Sequence, residues 1–307
     1  MSTSANWHGI WPAALTPFDA HLGIDVPRLS AHCRRLIAAG CRGVSLFGTT
    51  GEGTAMSAEE RMVGLEAVIA AGVPPSRLMP ATGVTDVPTT VALSVHAARL
   101  NVAGVLALPT FYLKDATQEG IYRHFATVIE KLGATPGLSV PKLCFYNFPF
   151  HTGITLAPAL VRRLADAFPG VVAGIKDSSG DWDLSQAYLN ALPDLAVFVG
   201  DERIILRARA KGGAGSISGM ANAIAPTLVE LCAAPVARGE SLQKIVDAAV
   251  GAVLAHPFVP AMKAVLAQLE RAPSWNHVRS PLETAPAPVG PALLAQLKAA
   301  GATLIAG

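Results

Sequence analysis

Lys176 is the first residue in the chain that invites a chemical reading. It closes the apolar run Val171-Val-Ala-Gly-Ile175, and the chain holds only eight lysines. A charged ammonium ion is costly at the end of a core strand, and the ordinary response is to give up the proton. A neutral amine attacks carbonyl carbons, and the Schiff base it forms withdraws electrons from the next carbon. The same position suits a structural ion pair with Asp177 or Glu52, and spacing alone leaves both readings open. Tyr146, in Tyr146-Asn-Phe-Pro149, offers a phenol that shuttles a proton once it is held in place. Its other reading is a core aromatic with a satisfied hydroxyl. Gly48-Thr-Thr-Gly51, just before Glu52, brings backbone N–H groups and two hydroxyls to a strand end. That suits a carboxylate or phosphate, or a plain capped turn. The glycine-rich run 212–219 admits a phosphate cradle or close helix–strand packing.

Metal chemistry is not expected. The eight histidines are scattered without HxH or HExxH spacing, and the four cysteines show no CxxC. No cofactor is called for. The cysteines read as reduced thiols of a cytoplasmic protein, and Met1–Gly9 lacks the basic and apolar regions of a signal peptide. The net charge of +2 argues against a nucleic-acid surface. Charged residues make up 15% of the chain and apolar ones 51%, so much of it is buried, in one large core or between subunits. The long charge-free stretches carry Pro, Gly, Asn or His breakers, which excludes membrane spans.

These residues need elements to hold them. Apolar runs recur at 10–15, 43–47, 77–81, 104–108, 143–148, 171–175, 195–199 and 215–218. Most are continuous rather than alternating, as in parallel strands buried on both faces. Helix-like segments follow at 26–39, 57–71, 89–100, 117–131, 157–167, 183–192, 202–210 and 225–234. Ser57-Ala-Glu-Glu60 is a capping box, Thr117 suits an N-cap, and Gly40, Gly72 and Gly133 suit C-caps. Eight βα units predict an α/β fold, a (β/α)8 TIM barrel over residues 1–234, with its site at the C-terminal strand ends. The segment after Leu15 lacks a dinucleotide-binding glycine fingerprint. Residues 235–307 read as a C-terminal helical extension with helices at 242–255, 260–269 and 291–300.

Four motifs stand in order: Gly48-Thr-Thr-Gly-Glu52, Tyr146-Asn-x-Pro149, Gly174-Ile-Lys-Asp-Ser178 and Gly215-x-Ile-Ser218 followed by Ala221-Asn222. As a set they resemble the dihydrodipicolinate synthase/N-acetylneuraminate lyase family, over nearly the whole chain. The resemblance implies a class I aldolase-like barrel, usually a homotetramer built as a dimer of dimers, that joins a lysine to pyruvate or another 2-oxo acid. By position, Lys176 becomes the Schiff-base lysine and Tyr146 the proton shuttle. Thr49 hydrogen-bonds Tyr146 in the relay. Thr50, with backbone amides of the turn from Gly48, holds the carboxylate. Gly200 and Ile217 line the pocket.

Two departures from the family pattern bear on substrate. Dihydrodipicolinate synthases carry Tyr-Asn-x-Pro-x-Arg-Thr-Gly, whose arginine secures the second substrate's carboxylate. Here His151 stands in that place, without a forked, permanent charge. Those synthases also carry Pro-Tyr-Tyr, its second tyrosine reaching a neighbouring subunit's site. Here Pro109-Thr-Phe-Tyr-Leu-Lys114 leaves Phe111, Tyr112 and Leu113 open for that position, with Tyr112 the nearest phenol. The stretch looks more like members acting on 2-keto-3-deoxy sugar acids. The expected activity is therefore a Schiff-base lyase. The alternatives are a 4-hydroxy-tetrahydrodipicolinate synthase using aspartate semialdehyde, and a non-catalytic 2-oxo acid binding protein.

Overall fold

Short buried strands alternate with capped helices along the chain. The computed structural model describes residues 7–306; residues 1–6 of the stretch read for a leader lie outside them. The strands are β1 (Gly9–Pro12), β2 (Val105–Ala107), β3 (Leu143–Asn147), β4 (Val172–Asp177), β5 (Ala196–Val199) and β6 (Gly215–Ser218). They pair in parallel in the order β1-β6-β5-β4-β3-β2. The first helices are α1 (Val26–Ala38), α2 (Ala58–Ala70), α3 (Val87–Arg99), α4 (Gln118–Gly133), α5 (Pro149–Thr152) and α6 (Pro158–Ala167). Then come α7 (Trp182–Ala191), α8 (Ile205–Arg209), α9 (Ala221–Ala233), α10 (Val236–Leu254), α11 (Phe258–Leu269) and α12 (Val289–Ala299).

Two expected strands, at 43–47 and 77–81, are not regular strands. They make isolated parallel bridges instead: Ala13 with Ser45, Val44 with Leu78, and Ala81 with Leu106. Pro12 and Pro80 have no N–H to donate to a ladder, and Phe47 leaves the extended region with φ 56°. Ser45 N–H still donates to Pro12 O, Met79 N–H to Val44 O and Leu106 N–H to Pro80 O.

Helix starts follow the sequence signals. Asp25, Asp86 and Thr117 accept N-terminal N–H bonds of α1, α3 and α4, and Ser57 and Glu60 close a reciprocal capping box on α2. The expected helix 202–210 divides into a 3-10 turn, Glu202–Ile204, and the short α8. α9 starts four residues before the expected position and kinks at Ile224, two residues before Pro226.

Apolar side chains sort into two layers. Leu143, Phe145, Ile175, Val197 and Val199 pack outward into the core shared with the helices. Trp11, Cys144, Tyr146, Ala173, Phe198 and Ile217 form a second cluster with Met79 and Leu106. One irregularity decides what joins that second layer. Leu143 pairs with Val172, yet Cys144 pairs with Gly174, so Ala173 is an extra residue in β4. The bulge re-phases the strand. From there Tyr146 pairs with Lys176 and Asn147 with Asp177.

Among the described residues no single helix is long and apolar enough to cross a membrane. The apolar α10 and α11 meet at a bend of 110° and bury their inner faces against the rest of the chain. Ile305 N–H donates to Ala223 O, and Thr303 N–H to Thr227 Oγ1, which ties the C-terminal end to α9.

Candidate active site

The C-terminal ends of β3 to β6 open on a cavity of about 590 Å³, whose lining includes Lys176, Tyr146, Thr49, Thr50, Gly200 and Ile217. Lys176 is 6% exposed. Its Nζ stands 4.2 Å from the centroid of the Tyr146 ring, close enough for the ring face to attract a cation.

Neither carboxylate weighed as a structural partner holds Lys176. Asp177 is committed elsewhere. Its Oδ1 accepts from Asn147 Nδ2 (2.8 Å) and Ser179 N (3.0 Å), and its Oδ2 from Ser179 Oγ (2.9 Å) and Ser185 Oγ (2.6 Å). Glu52, in a left-handed conformation, forms a buried ion pair with Lys263 and accepts Arg279 N–H at 2.8 Å. Burial pulls the Lys263 ammonium down to about 8, against the opposing pull of Glu52. That pair lies behind the Thr49-Thr50 turn, which Glu52 N–H closes on Thr49 O and Gly53 N–H on Gly48 O.

Gly200 is beside the lysine stem. A Cβ there would stand 1.9 Å from Ser178 Oγ and 3.2 Å from Lys176 Cε. In the glycine-rich run, a Cβ at Gly215 would meet Gly9 O at 2.1 Å and one at Gly219 would meet Phe258 Cζ at 2.6 Å. Close packing accounts for those two positions.

The other expected residues are distributed as follows. Gly48 shapes the turn without lining the cavity. His151 lines the rim, edge-on to Phe148 with ring centroids 4.5 Å apart, and loss of water there lowers its pKa. Among the described residues no hydrogen bond joins Thr49 to Tyr146. Tyr112 is 80% exposed, and neither it, Phe111 nor Leu113 lines the cavity. The loop that bears them is tied to α5 by Lys114 Nζ, which donates to Phe111 O and Thr152 O, each at 2.6 Å.

Sequence reasoning missed the tail's wall, Ser178 and Glu202 in the site, and Lys263 behind it. The helical tail supplies an apolar wall, Val250, Leu254, Phe258 and Val259, although its pattern read only as an appendage. Ser178 and Glu202 also line the cavity; Ser178 closed the Gly174–Ser178 motif without a role, and Glu202 read only as the start of the expected helix 202–210. Lys263 sits in α11 with its side chain fully buried; a lone lysine amid Pro-Ala-Met-Lys-Ala-Val was the available signal. Among the described residues no group of three or more His, Cys, Asp or Glu side chains is disposed to hold a metal ion.

An inward amine, a phenol across the strand pair and a hydroxyl-bearing turn together suit imine formation and proton transfer at a carbonyl compound. Comparisons with known proteins point the same way. Residues 6–300 match the model of the dihydrodipicolinate synthetase family. A relative from Chloroflexus aurantiacus, named as an uncharacterized DapA-like lyase, is 35% identical over 216 residues, 70% of each chain. The crystal structure of dihydrodipicolinate synthase from Agrobacterium tumefaciens superposes with a TM-score of 0.86 at 33% identity, covering 95% of this chain and 99% of that one. YagE, a prophage protein of E. coli K12 solved with pyruvate, gives 0.87 at 26% identity, covering 97% and 99%.

Proposed function

The chain belongs to the dihydrodipicolinate synthetase family, and from that premise we propose that it is a Schiff-base lyase acting on pyruvate or another 2-oxo acid. Lys176 attacks C2, water leaves, and the imine draws electrons so that C3 loses a proton and becomes an enamine carbon. Tyr146 moves the proton to or from the aldehyde or hydroxyl oxygen, with Thr49 as its relay partner. Thr50 and the turn that follows Gly48 hold the carboxylate. The reaction is aldol cleavage or condensation, or dehydration, of a 2-keto-3-deoxy sugar acid. One observation carries this reading: a buried lysine with no carboxylate partner among the described residues, facing a phenol inside a cavity. Borohydride trapping with pyruvate, followed by peptide mapping, is expected to find the adduct on Lys176. Lys176→Ala is expected to abolish turnover while the fold persists. A trapped adduct elsewhere, or none, would remove the proposal.

A second reading, condensation of pyruvate with aspartate semialdehyde, draws on the structural likeness to the Agrobacterium synthase. The neutral-leaning His151 in the arginine's place weighs against it. A coupled assay with both substrates decides. A third, binding without turnover, gives the buried amine no task; exchange of pyruvate's methyl protons in the presence of the protein would exclude it.

We further propose a closed eight-unit barrel over residues 1–234, helical extension 235–307, cytoplasmic location, and a homotetramer built as a dimer of dimers. The bridges at 43–47 and 77–81 support closure. Exposed Tyr112, Leu113 and Phe150, at the loop and helix joined by Lys114, support a partner at the cavity mouth. Light scattering across a dilution series tests the assembly, and Tyr112→Phe tests a relay that crosses it.

A further inference from the structure

Glu202 opens the 3-10 turn after β5 and is 6% exposed, with its side chain on the wall shared by Lys176, Ser178 and Gly200. Its Oε1 accepts two hydrogen bonds, from Ser218 Oγ at 2.6 Å and from Met220 N at 3.1 Å. Ser218 Oγ itself accepts from Ala221 N–H at 3.0 Å, so the serine's own proton is directed to Glu202. Among the described residues no side chain or backbone group is hydrogen-bonded to Oε2, and Glu202 lines the cavity.

Among the described residues no cation forms an ion pair with this carboxyl, although Arg203 on the same turn is close enough to attract it. On its own turn, Arg203 is engaged by Asp201 at 2.9 and 2.7 Å. From α10, Gln243 donates to the Glu202 carbonyl and to Asp247 rather than to the carboxyl. β6 and the start of α9 present only the two donors on Oε1. From β4, Lys176 shares the cavity without pairing with Glu202. Loss of water raises the pKa of this buried carboxyl from its ordinary value, against the Ser218 and Met220 hydrogen bonds, which pull it the other way, with the Asp201 charge adding a little to the rise. Two donors on Oε1 place its proton on Oε2.

We propose that Glu202 is the general acid of this site, giving its Oε2 proton to the C4 hydroxyl of a bound 4-hydroxy-2-oxo acid, so that the reaction is loss of water. The inference rests on the Schiff-base reading and sharpens it. Aldol cleavage requires a base to take the C4 hydroxyl proton; elimination requires an acid to give one. The C3–H bond breaks and its proton passes to the Tyr146 side. The enamine pair then closes C3=C4 as the C4–O bond breaks, and the oxygen leaves with the Glu202 proton as water. Solvent restores the proton to Glu202 and takes up the one lost from C3, so the net change is one water, with no oxidant or reductant.

The test sets wild-type protein beside Glu202→Gln, with pyruvate, 4-hydroxy-2-oxopentanoate and 2-keto-3-deoxygluconate as separate probes. Borohydride trapping with mass mapping reads the Lys176 adducts, and product mass reads the bond that broke. Both proteins are expected to trap pyruvate. Wild type is expected to give a product lighter by one water from at least one hydroxy acid, and Glu202→Gln to lose this by about 10²-fold or more. The wild-type dehydration rate is expected to fall at alkaline pH while pyruvate trapping does not. Release of pyruvate and aldehyde alone, no dehydrated product, or undiminished dehydration in Glu202→Gln overturns the assignment. Absence of a pyruvate adduct in wild type overturns the lyase reading instead. Should Glu202→Gln not fold, Glu202→Asp takes its place, with the carboxyl drawn back by one methylene and dehydration expected to fall while trapping persists.

Discussion

The space around the Lys176 stem is set by an absence of side chain at position 200. A methyl group there would stand 1.9 Å from Ser178 Oγ and 2.9 Å from its Cβ, so Ser178 must move, and the methyl group presses on the lysine stem at 3.2 Å. Misplacement of a reacting group by about 1 Å costs about 10²-fold in rate, whereas modest overpacking costs about 1–3 kcal/mol. Gly200→Ala is therefore expected to slow adduct formation with pyruvate by about 10²-fold and to keep the fold, read by trapping rate and thermal unfolding. An alanine variant that traps pyruvate at the wild-type rate would show that the stem has room to spare. At the rim, His151 sits edge-on to Phe148 with its proton affinity lowered. An arginine in its place supplies a planar fork for a carboxylate. His151→Arg is expected to lower the KM for aspartate semialdehyde by about tenfold, the effect of about 1.4 kcal/mol. An unchanged KM in the coupled assay would show that the rim is too far from that carboxylate.

At the scale of elements, the site depends on two features that local pattern does not encode. The bulge at Ala173 brings Lys176 opposite Tyr146; without it, the pairing begun at Leu143 and Val172 would set Ile175 there. Apolar periodicity located β4 but carries no record of a one-residue slip, because the slip is decided by the neighbouring strand. The Lys263–Glu52 pair joins the threonine turn to α11, which lies far along the chain, and no spacing rule reaches that far. By contrast, the starts of α1, α2 and α4 and the buried runs of β3 to β6 were legible, since caps and continuous apolar runs act within a few residues. The runs at 43–47 and 77–81 were legible as extended chain, but proline reduced their ladders to single bridges. Removing one partner of a buried ion pair strands the other charge, at a cost of about 3–5 kcal/mol. Lys263→Met is expected to lose about that much stability in denaturant titration. Combining it with Glu52→Gln is expected to recover most of the loss. Equal destabilisation in the single and double variants would mean that the pair is not what holds the turn.

At the scale of the whole molecule, His32 connects the first helix, the last strand–helix junction and the tail. Its Nε2 meets Asn222 Oδ1 at 2.8 Å, and that oxygen also accepts Leu15 N–H at 2.9 Å. Its Nδ1 faces Arg35 Nη2 at 3.3 Å, and its ring is edge-on to Trp275 at 5.2 Å. Arg35, itself paired with Glu270, can only donate, so Nδ1 must accept and the neutral Nε2–H tautomer is fixed. A second proton would meet a donor and a positive charge in a dry site. Burial, foremost, and Arg35 lower the His32 pKa from 6.5 to about 4, with the Asn222 bond acting the other way. Above pH 6.5 the ring is neutral in folded and unfolded chains alike and adds no pH dependence. As pH falls from 6.5 toward 4 the unfolded chain takes up a proton that the folded chain refuses, so stability falls. The loss amounts to about 3 kcal/mol by pH 4. Denaturant titrations of wild type and His32→Gln at half-unit steps over that range isolate this contribution from the carboxylates common to both. The glutamine variant is expected to start less stable at pH 7 and to lose less on acidification, so that the two curves converge toward pH 4. Parallel curves would mean that His32 gains its proton in the folded chain as readily as in the unfolded one, and that this three-way junction is not what makes the fold sensitive to acid.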